Sequence, residues 1–369
     1  MQKLNFSQKN DFKNFLEKEK FKNILIICGE SSFKSSGAKQ LFKEFFINKK
    51  INYYFKKSSK PNHLELQAII NCIKFFSPNL IIAIGGGSVL DYAKIANVLI
   101  NSKNLKEELI NSTYDPKNKF AKLVAIPTTA GSGAEVTSNA VIYVDKIKYS
   151  VESEKLRPDY FFLIPELVLA ASNKIKSSAG FDAIAQAIES LISKRSNEKS
   201  KIFAEKSLKL SFNYFLDYLH KPNFENTSAM CLAANLSGEA ISISKTTAPH
   251  AVSYPFTALY NISHGHAVSL TLNKFLRFNY KHSASANCNF DLNERFKILF
   301  NLTSVSNFQA FDQYLTKLRD NAKLENNFKK LGIDIYKNYS SIISSVNLKR
   351  LTNNPIELNL EDLKNIIQS

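Results

Sequence analysis

The chain is predicted to be a two-part protein. An α/β domain with a Rossmann-like parallel sheet occupies residues 1–165, and an all-α domain follows over 166–369. Three observations predict this. Short apolar runs alternate with amphipathic stretches through the first half. Glycines gather where an apolar run meets an amphipathic one. After Pro165 the apolar residues recur at helical spacing over segments of 12–20 residues, and strand-like runs stop.

The elements follow in order. KNILIICG (22–29) reads as a buried strand, and SGAKQLFKEFFINKK (36–50) as a helix with apolar residues at 41, 42, 45 and 46. INYYFKK (51–57) is strand-like, and HLELQAIINCIKFFSP (63–78) is a helix ending at Pro78. NLIIAIGGGS (79–88) is a strand running into glycines, VLDYAKIANVLIN (89–101) a helix, and AKLVAIPTT (121–129) a further strand. Residues 139–165 read as a hairpin and a last strand. Beyond Pro165, residues 179–193, 200–220 and 227–244 carry helical spacing, and the last ~80 residues read as helices without a chemical signal.

Composition narrows the class. Apolar residues make up 44%, with 28 Phe and 15 Tyr, enough for large cores and against disorder. The four cysteines form no CxxC pair, which fits a reducing compartment. No signal-like segment opens the chain and no run reaches the ~20 apolar residues of a membrane span, so a soluble, cytoplasmic protein is expected. The net charge of +17 comes with dispersed lysines and no nucleic-acid motif, so no nucleic-acid or membrane partner is expected. The charge suits attraction of a small anionic substrate.

Two loops carry the first chemistry. Gly85, Gly86, Gly87 and Ser88 lie between a strand and a helix, where backbone N–H groups and the helix N-terminus can meet a phosphate. No GK[ST] follows, so this is not a Walker loop. Asp91 stands one turn into the helix, as a ligand contact or as a surface acid. A second loop, PTTAGSGAEVT (127–137), offers Thr128, Thr129 and Ser132. Two such loops at strand carboxyl ends suggest a shared ligand crevice.

A second constellation follows. Asp182, Gln186 and Glu189 share one helix face at i, i+4 and i+7, among Ile and Ala. A carboxylate there is costly unless paired or metal-bound. Three of the six histidines, His250, His264 and His266, fall within seventeen residues. His250 and His264 can converge only if the chain folds back between them, and Pro255 is expected to break that segment. One carboxylate with two imidazoles is a plausible divalent-metal set.

GGGSVLDYAK, PTTAGSGAEVT, GFDAIAQAIES and HAVSY…NISHGHA, in this order, resemble the iron-containing (group III) alcohol dehydrogenase family, kin to glycerol dehydrogenase and dehydroquinate synthase. The resemblance implies that family's fold, a nicotinamide cofactor and one divalent metal, Fe²⁺ first, Zn²⁺ or Mn²⁺ as alternatives. It carries the metal ligands over to Asp182, Gln186, His250 and His264. Gln186 departs from the family's usual His; it ligates through oxygen, drops out, or is compensated by His266. Tyr254 stands where the family often has a further His, which leaves Tyr254 and His266 as candidates for the proton route. Lys148 resembles a family lysine near the cofactor.

The resemblance also bears on NADPH versus NADH. Gly29 occupies the place of an Asp found in NAD-preferring members, and Ser31, Ser32 and Lys34 can receive a 2′-phosphate, which favours NADPH; Glu30 argues the other way. SKTTAPHA, with Lys245, Thr246 and Thr247 beside the first spaced His, resembles the phosphonoacetaldehyde reductase branch, whose members reduce phosphonoacetaldehyde to 2-hydroxyethylphosphonate. Lys245 is the expected contact for an anionic head group. The rivals are a general alcohol dehydrogenase/aldehyde reductase without anionic preference, a dehydroquinate synthase-like cyclase, and an inactive relative. The family resemblance implies a homodimer or larger homo-oligomer.

Overall fold

The structure is a computed structural model, and it describes residues 9–46, 49–145, 147–346 and 348–369. The chain divides into two compact units. The first holds the described residues up to Ser172 together with Asn223–Cys231; the second holds Asn173–Pro222 and Leu232–Ser369.

The first unit is built on a parallel five-stranded sheet. Its strands are β1 (Asn23–Gly29), β2 (Lys50–Lys56), β3 (Leu80–Gly85), β4 (Lys122–Pro127) and, after a separate antiparallel hairpin of β5 (Asn139–Val144) and β6 (Ile147–Glu152), β7 (Tyr160–Phe161). The order is β2-β1-β3-β4-β7. β3 is buried at every position, as a central parallel strand covered on both faces must be. Alternate residues feed two cores. Ile24, Ile26, Ile82, Ile84 and Val124 meet Phe12, Phe33 and Phe42 on one face. Leu25, Ile27, Ile81 and Ala83 meet the His63–Phe76 and Gly87–Val98 helices on the other.

The helix expected over residues 36–50 is shorter: a separate helix at Glu30–Ser35 precedes it, the stretch itself is helical over Ala38–Phe42 and then tightens into a 3₁₀ turn at Lys43–Phe46, and Lys50 already belongs to β2. Gly37, at φ +80, takes the left-handed conformation that separates the first two.

The second unit is helical. Its axis is the Asn173–Ile192 helix, buried at nearly every position from Lys176 onward. A helix buried all round projects even its polar side chains inward. Glu198–His220, the part of the Phe224–Ser244 helix from Leu232 on, Ala248–Tyr260, His264–Ser269 and Leu272–Lys281 follow, then Leu292–Leu302, Phe308–Asn321, Tyr339–Ser344, a 3₁₀ turn at Leu348–Asn353, and Leu360–Gln368. Among the described residues no helix is long and apolar enough to cross a membrane.

Candidate active site

In the first unit the two glycine-containing loops pack back to back. A Cβ on Gly85 would meet Val89 Cγ2 at 2.5 Å, and one on Gly87 would meet Ser132 Oγ at 2.8 Å. A Cβ on Gly86 would lie 3.3 Å from Thr129 Oγ1. The amide of Thr128 donates to the Gly85 carbonyl at 3.0 Å. The Gly87–Val98 helix begins at Gly86 with no capping side chain, and the Val89 and Leu90 amides turn back to the Gly86 carbonyl, so no cap side chain competes with a ligand for the Gly87 and Ser88 amides. This is a cradle that only glycine permits, and it fits the phosphates of a dinucleotide.

The second loop is held from beneath by Lys94. Its buried ammonium donates to the Ala134 carbonyl (3.0 Å), Thr137 Oγ1 (2.8 Å) and the Asn139 carbonyl (2.6 Å). Asp91, on the same helix, accepts from the Val141 amide. Burial pushes its carboxyl up to about 6, against the pull of Lys94 and Lys148. Asp91 is therefore a partly desolvated acid beside Lys148, and not a surface helix residue.

At the end of β1, Ser32 Oγ donates to the Gly29 carbonyl at 3.1 Å, and Ser31 is exposed. Lys34 pairs with Glu30 at 2.7 Å, so its charge answers Glu30. Lys56 is the register partner of Gly29 on β2.

In the second unit Asp182, His250 and His264 converge, one ligand atom from each lying within 4.8 Å of the others. His250 Nε2 lies 3.3 Å and His264 Nε2 3.9 Å from Asp182 Oδ1. The chain does not turn back at Pro255. That residue sits inside the Ala248–Tyr260 helix, and the reversal comes at Asn261, in the left-handed region at φ 55. His264 then opens the next helix. Gly265 makes this approach possible: a Cβ there would stand 2.8 Å from Asp182 Cβ and closer still to the Ser178 carbonyl oxygen.

Glu189, assigned no role from sequence, organises the site. It is wholly buried. Its Oε1 accepts from the Thr247 amide (2.9 Å), Thr247 Oγ1 (2.8 Å) and the His250 amide (3.3 Å). These are the unpaired donors of the Ala248–Tyr260 N-terminus. Its Oε2 bonds His250 Nδ1, so Nε2 faces Asp182. Burial opposes protonation of His250, but the Glu189 and Asp182 carboxylates prevail and push it up to about 9. Such a buried, acid-rich nest of one oxygen and two nitrogen donors fits a borderline divalent cation.

Gln186 stands beside this set. Its amide nitrogen donates to Asp182 Oδ2 at 3.3 Å and its oxygen accepts from Ser237 at 3.0 Å. Tyr254 stacks on His264, centroids 5.5 Å apart and planes 18° apart. Its hydroxyl accepts from the Arg350 guanidinium at 2.7 Å. Burial raises its pKa, opposed by Arg350. His266 is not gathered in: its Nε2 lies 2.6 Å from the Glu325 carbonyl. The expectation that His266 compensates for Gln186 or moves the proton does not fit this orientation.

Lys245 ends the Phe224–Ser244 helix at φ 60, its amide bonded to the Ile241 carbonyl. Asn353 donates to the Ser244 and Thr246 carbonyls, both at 2.9 Å. The Lys245–Thr247 loop is thus fastened by Asn353 on one side and Glu189 on the other. The C-terminal segment, expected to be chemically silent, supplies both Asn353 and Arg350.

The description "Iron-containing alcohol dehydrogenase" matches residues 6–165, and that of the Fe-containing alcohol dehydrogenase family C-terminal region matches 176–369. The chain belongs to the iron-containing alcohol dehydrogenase family. It is 26% identical over 313 residues to 4-hydroxybutyrate dehydrogenase of Clostridium kluyveri, covering 83% of this chain and 82% of that protein. It is 31% identical over 262 residues to the 1-propanol dehydrogenase PduQ of Salmonella typhimurium, covering 70% and 67%. It is 30% identical over 226 residues to phosphonoacetaldehyde reductase of Streptomyces viridochromogenes, covering 58% and 57%. Among solved structures, sulfoacetaldehyde reductase from Bifidobacterium kashiwanohense in complex with NAD+ aligns over 100% of this chain and 98% of its own at a TM-score of 0.87 and 24% identity. This member of the iron-containing alcohol dehydrogenase family is accordingly a metal-dependent, NAD(P)-linked oxidoreductase that interconverts alcohol and aldehyde.

Proposed function

We propose that the enzyme reduces phosphonoacetaldehyde to 2-hydroxyethylphosphonate with NADPH. The observation that carries this reading is the fastened Lys245–Thr247 loop, which carries Lys245 and Thr246 close in sequence to His250 and is tied to that histidine through Glu189, the acceptor of the Thr247 hydroxyl. A small acid group is what such a loop recognises. The relatives named for phosphonoacetaldehyde and 4-hydroxybutyrate support a small anionic substrate. NADPH is favoured because no carboxylate replaces Gly29, Glu30 is ion-paired with Lys34, and Lys56 lies alongside, its Cε 3.9 Å from where a Gly29 Cβ would stand.

The roles divide as follows. Asp182, His250 and His264 would hold the cation, which would supply Lewis-acid polarisation of the carbonyl, while a bound nicotinamide would supply the hydride. Gln186 braces Asp182 through its amide. Glu189 fixes the tautomer and direction of His250. The glycine cradle with Ser88, Thr128, Thr129 and Ser132 takes the pyrophosphate, and Gly29, Ser31 and Ser32 border the adenosine end; Asp91 and Lys148 stand behind that cradle. Tyr254, stacked on His264 and accepting from Arg350, gives the proton.

The test follows NADPH absorbance with metal-replete protein, comparing phosphonoacetaldehyde with propanal. A kcat/KM preference of about 30-fold or more for the phosphonate is expected from one charge-paired contact. Comparable values would sink the assignment in favour of a neutral-aldehyde reductase, the reading that the 1-propanol relative favours.

A further inference from the structure

Arg350 was invisible as a functional residue in the sequence, one basic residue among 49. The fold gives it a particular place. It lies on the Leu348–Asn353 turn, and one of its N–H groups donates to Tyr254 Oη at 2.7 Å. Its guanidinium carbon is 5.3 Å from the Tyr254 ring centroid. That ring in turn stacks on His264 at 5.5 Å. Arg350 therefore stands one aromatic ring away from a metal donor.

The turn that carries it is rigidly seated. Asn353, in the same turn, bonds the carbonyls that flank Lys245, so the turn and the Lys245–Thr247 loop are a single fastened unit. A guanidinium has five N–H donors, and the bond to Tyr254 uses one of them. Its planar fork matches two oxygens of a tetrahedral anion, and its partial burial strengthens that attraction. Lysine in the neighbouring loop offers a point charge without that geometry. An aldehyde whose oxygen meets the donor cluster carries an acid group two carbons away, and that group reaches a hydrogen-bond donor on the order of 8 Å from the carbonyl oxygen. Arg350 is reached from His264 by way of the Tyr254 ring, whose centroid lies 5.5 Å from that of His264 and 5.3 Å from the guanidinium carbon.

Resting on the reading of the enzyme as an anionic-aldehyde reductase, we propose that Arg350 receives the substrate's phosphonate and sets the enzyme's preference for it. Tyr254, held by the same guanidinium, is then positioned by the residue that senses the head group.

The experiment compares wild type with Arg350→Met, Arg350→Lys and Tyr254→Phe on phosphonoacetaldehyde and propanal, with metal content and NADPH affinity measured on each. Arg350→Met is expected to lower the kcat/KM ratio of phosphonate to neutral aldehyde by about 30-fold or more, mainly through KM. Arg350→Lys is expected to recover part of it, and Tyr254→Phe to slow both substrates alike. If Arg350→Met keeps the wild-type ratio, or slows both substrates equally, the role of Arg350 is overturned while the phosphonate reading stands on the wild-type preference. If wild type itself shows no preference, both fall together.

Discussion

Gly265→Ala tests how the metal donors are brought together. The added methyl would sit 2.8 Å from Asp182 Cβ, where carbon atoms rest at about 3.8 Å. The Ser178 carbonyl oxygen, on the same Asn173–Ile192 helix as Asp182, is nearer still, so the His264–Ser269 helix must move away from that helix by about 1 Å or more. Overpacking of this kind costs about 1–3 kcal/mol. The displacement falls on His264, the residue next to the glycine, so that donor leaves Asp182 by the same distance. Metal affinity is expected to fall by about 10- to 100-fold, as for other misplaced ligands. Competition against a chromophoric chelator with Zn²⁺ or Co²⁺ measures the affinity, and thermal melting of the metal-free protein measures the packing cost separately. Wild-type affinity and wild-type melting in Gly265→Ala would refute the close crossing as the element that assembles the site.

Three further outcomes are expected. Glu189→Gln places an amide N–H₂ group against either His250 Nδ1 or the Thr247 donors, and metal affinity should drop by about 10-fold or more with the secondary structure intact by circular dichroism. Gly85→Ala drives a methyl into Val89 at the mouth of the cradle; nicotinamide affinity measured by fluorescence should fall while metal content stays at the wild-type level. Asp91 has its folded pKa raised from 3.8 to about 6, so its ionisation penalises the fold above pH 6, and that penalty fades as pH falls towards 4. Asp91→Asn should therefore gain melting temperature over wild type at pH 8 and lose that advantage at pH 4.5; a pH-independent difference would contradict this.

The parallel sheet was legible because a strand buried on both faces is a plain apolar run, as in Leu80–Gly85. The two glycine-containing loops were legible because glycine is demanded where the chain packs closely, and Gly85–Gly87 abut Val89, Thr129 and Ser132. The elements misread from sequence were decided by single residues in unusual conformations or by tertiary packing. Gly37 separates the Glu30–Ser35 helix from the Ala38–Phe42 helix, and the stretch whose apolar spacing reads as one helix tightens into a 3₁₀ turn after Phe42. Pro255 was tolerated within a helix whose residues 248–256 are all buried, so packing outweighs the lost backbone bond. Glu189, Arg350, Asn353 and Gly265 do their work across separations of 61, 96, 107 and 109 positions or through a close helix crossing. No local period records such pairings. What pointed to the metal donors was the clustering of a scarce residue type together with the family resemblance.

The donors themselves come from distant stretches of the second unit: Asp182 and His250 are 68 positions apart. An ion shared between them acts as a reversible cross-link, closing a loop whose entropy the unfolded chain would otherwise keep. Holding the native state more tightly than the unfolded one, the cation stabilises the fold by an amount that grows with the logarithm of its free concentration. With a cation on these donors, the melting temperature is expected to gauge metal occupancy, and chelation to shorten the enzyme's lifetime as well as stop its turnover.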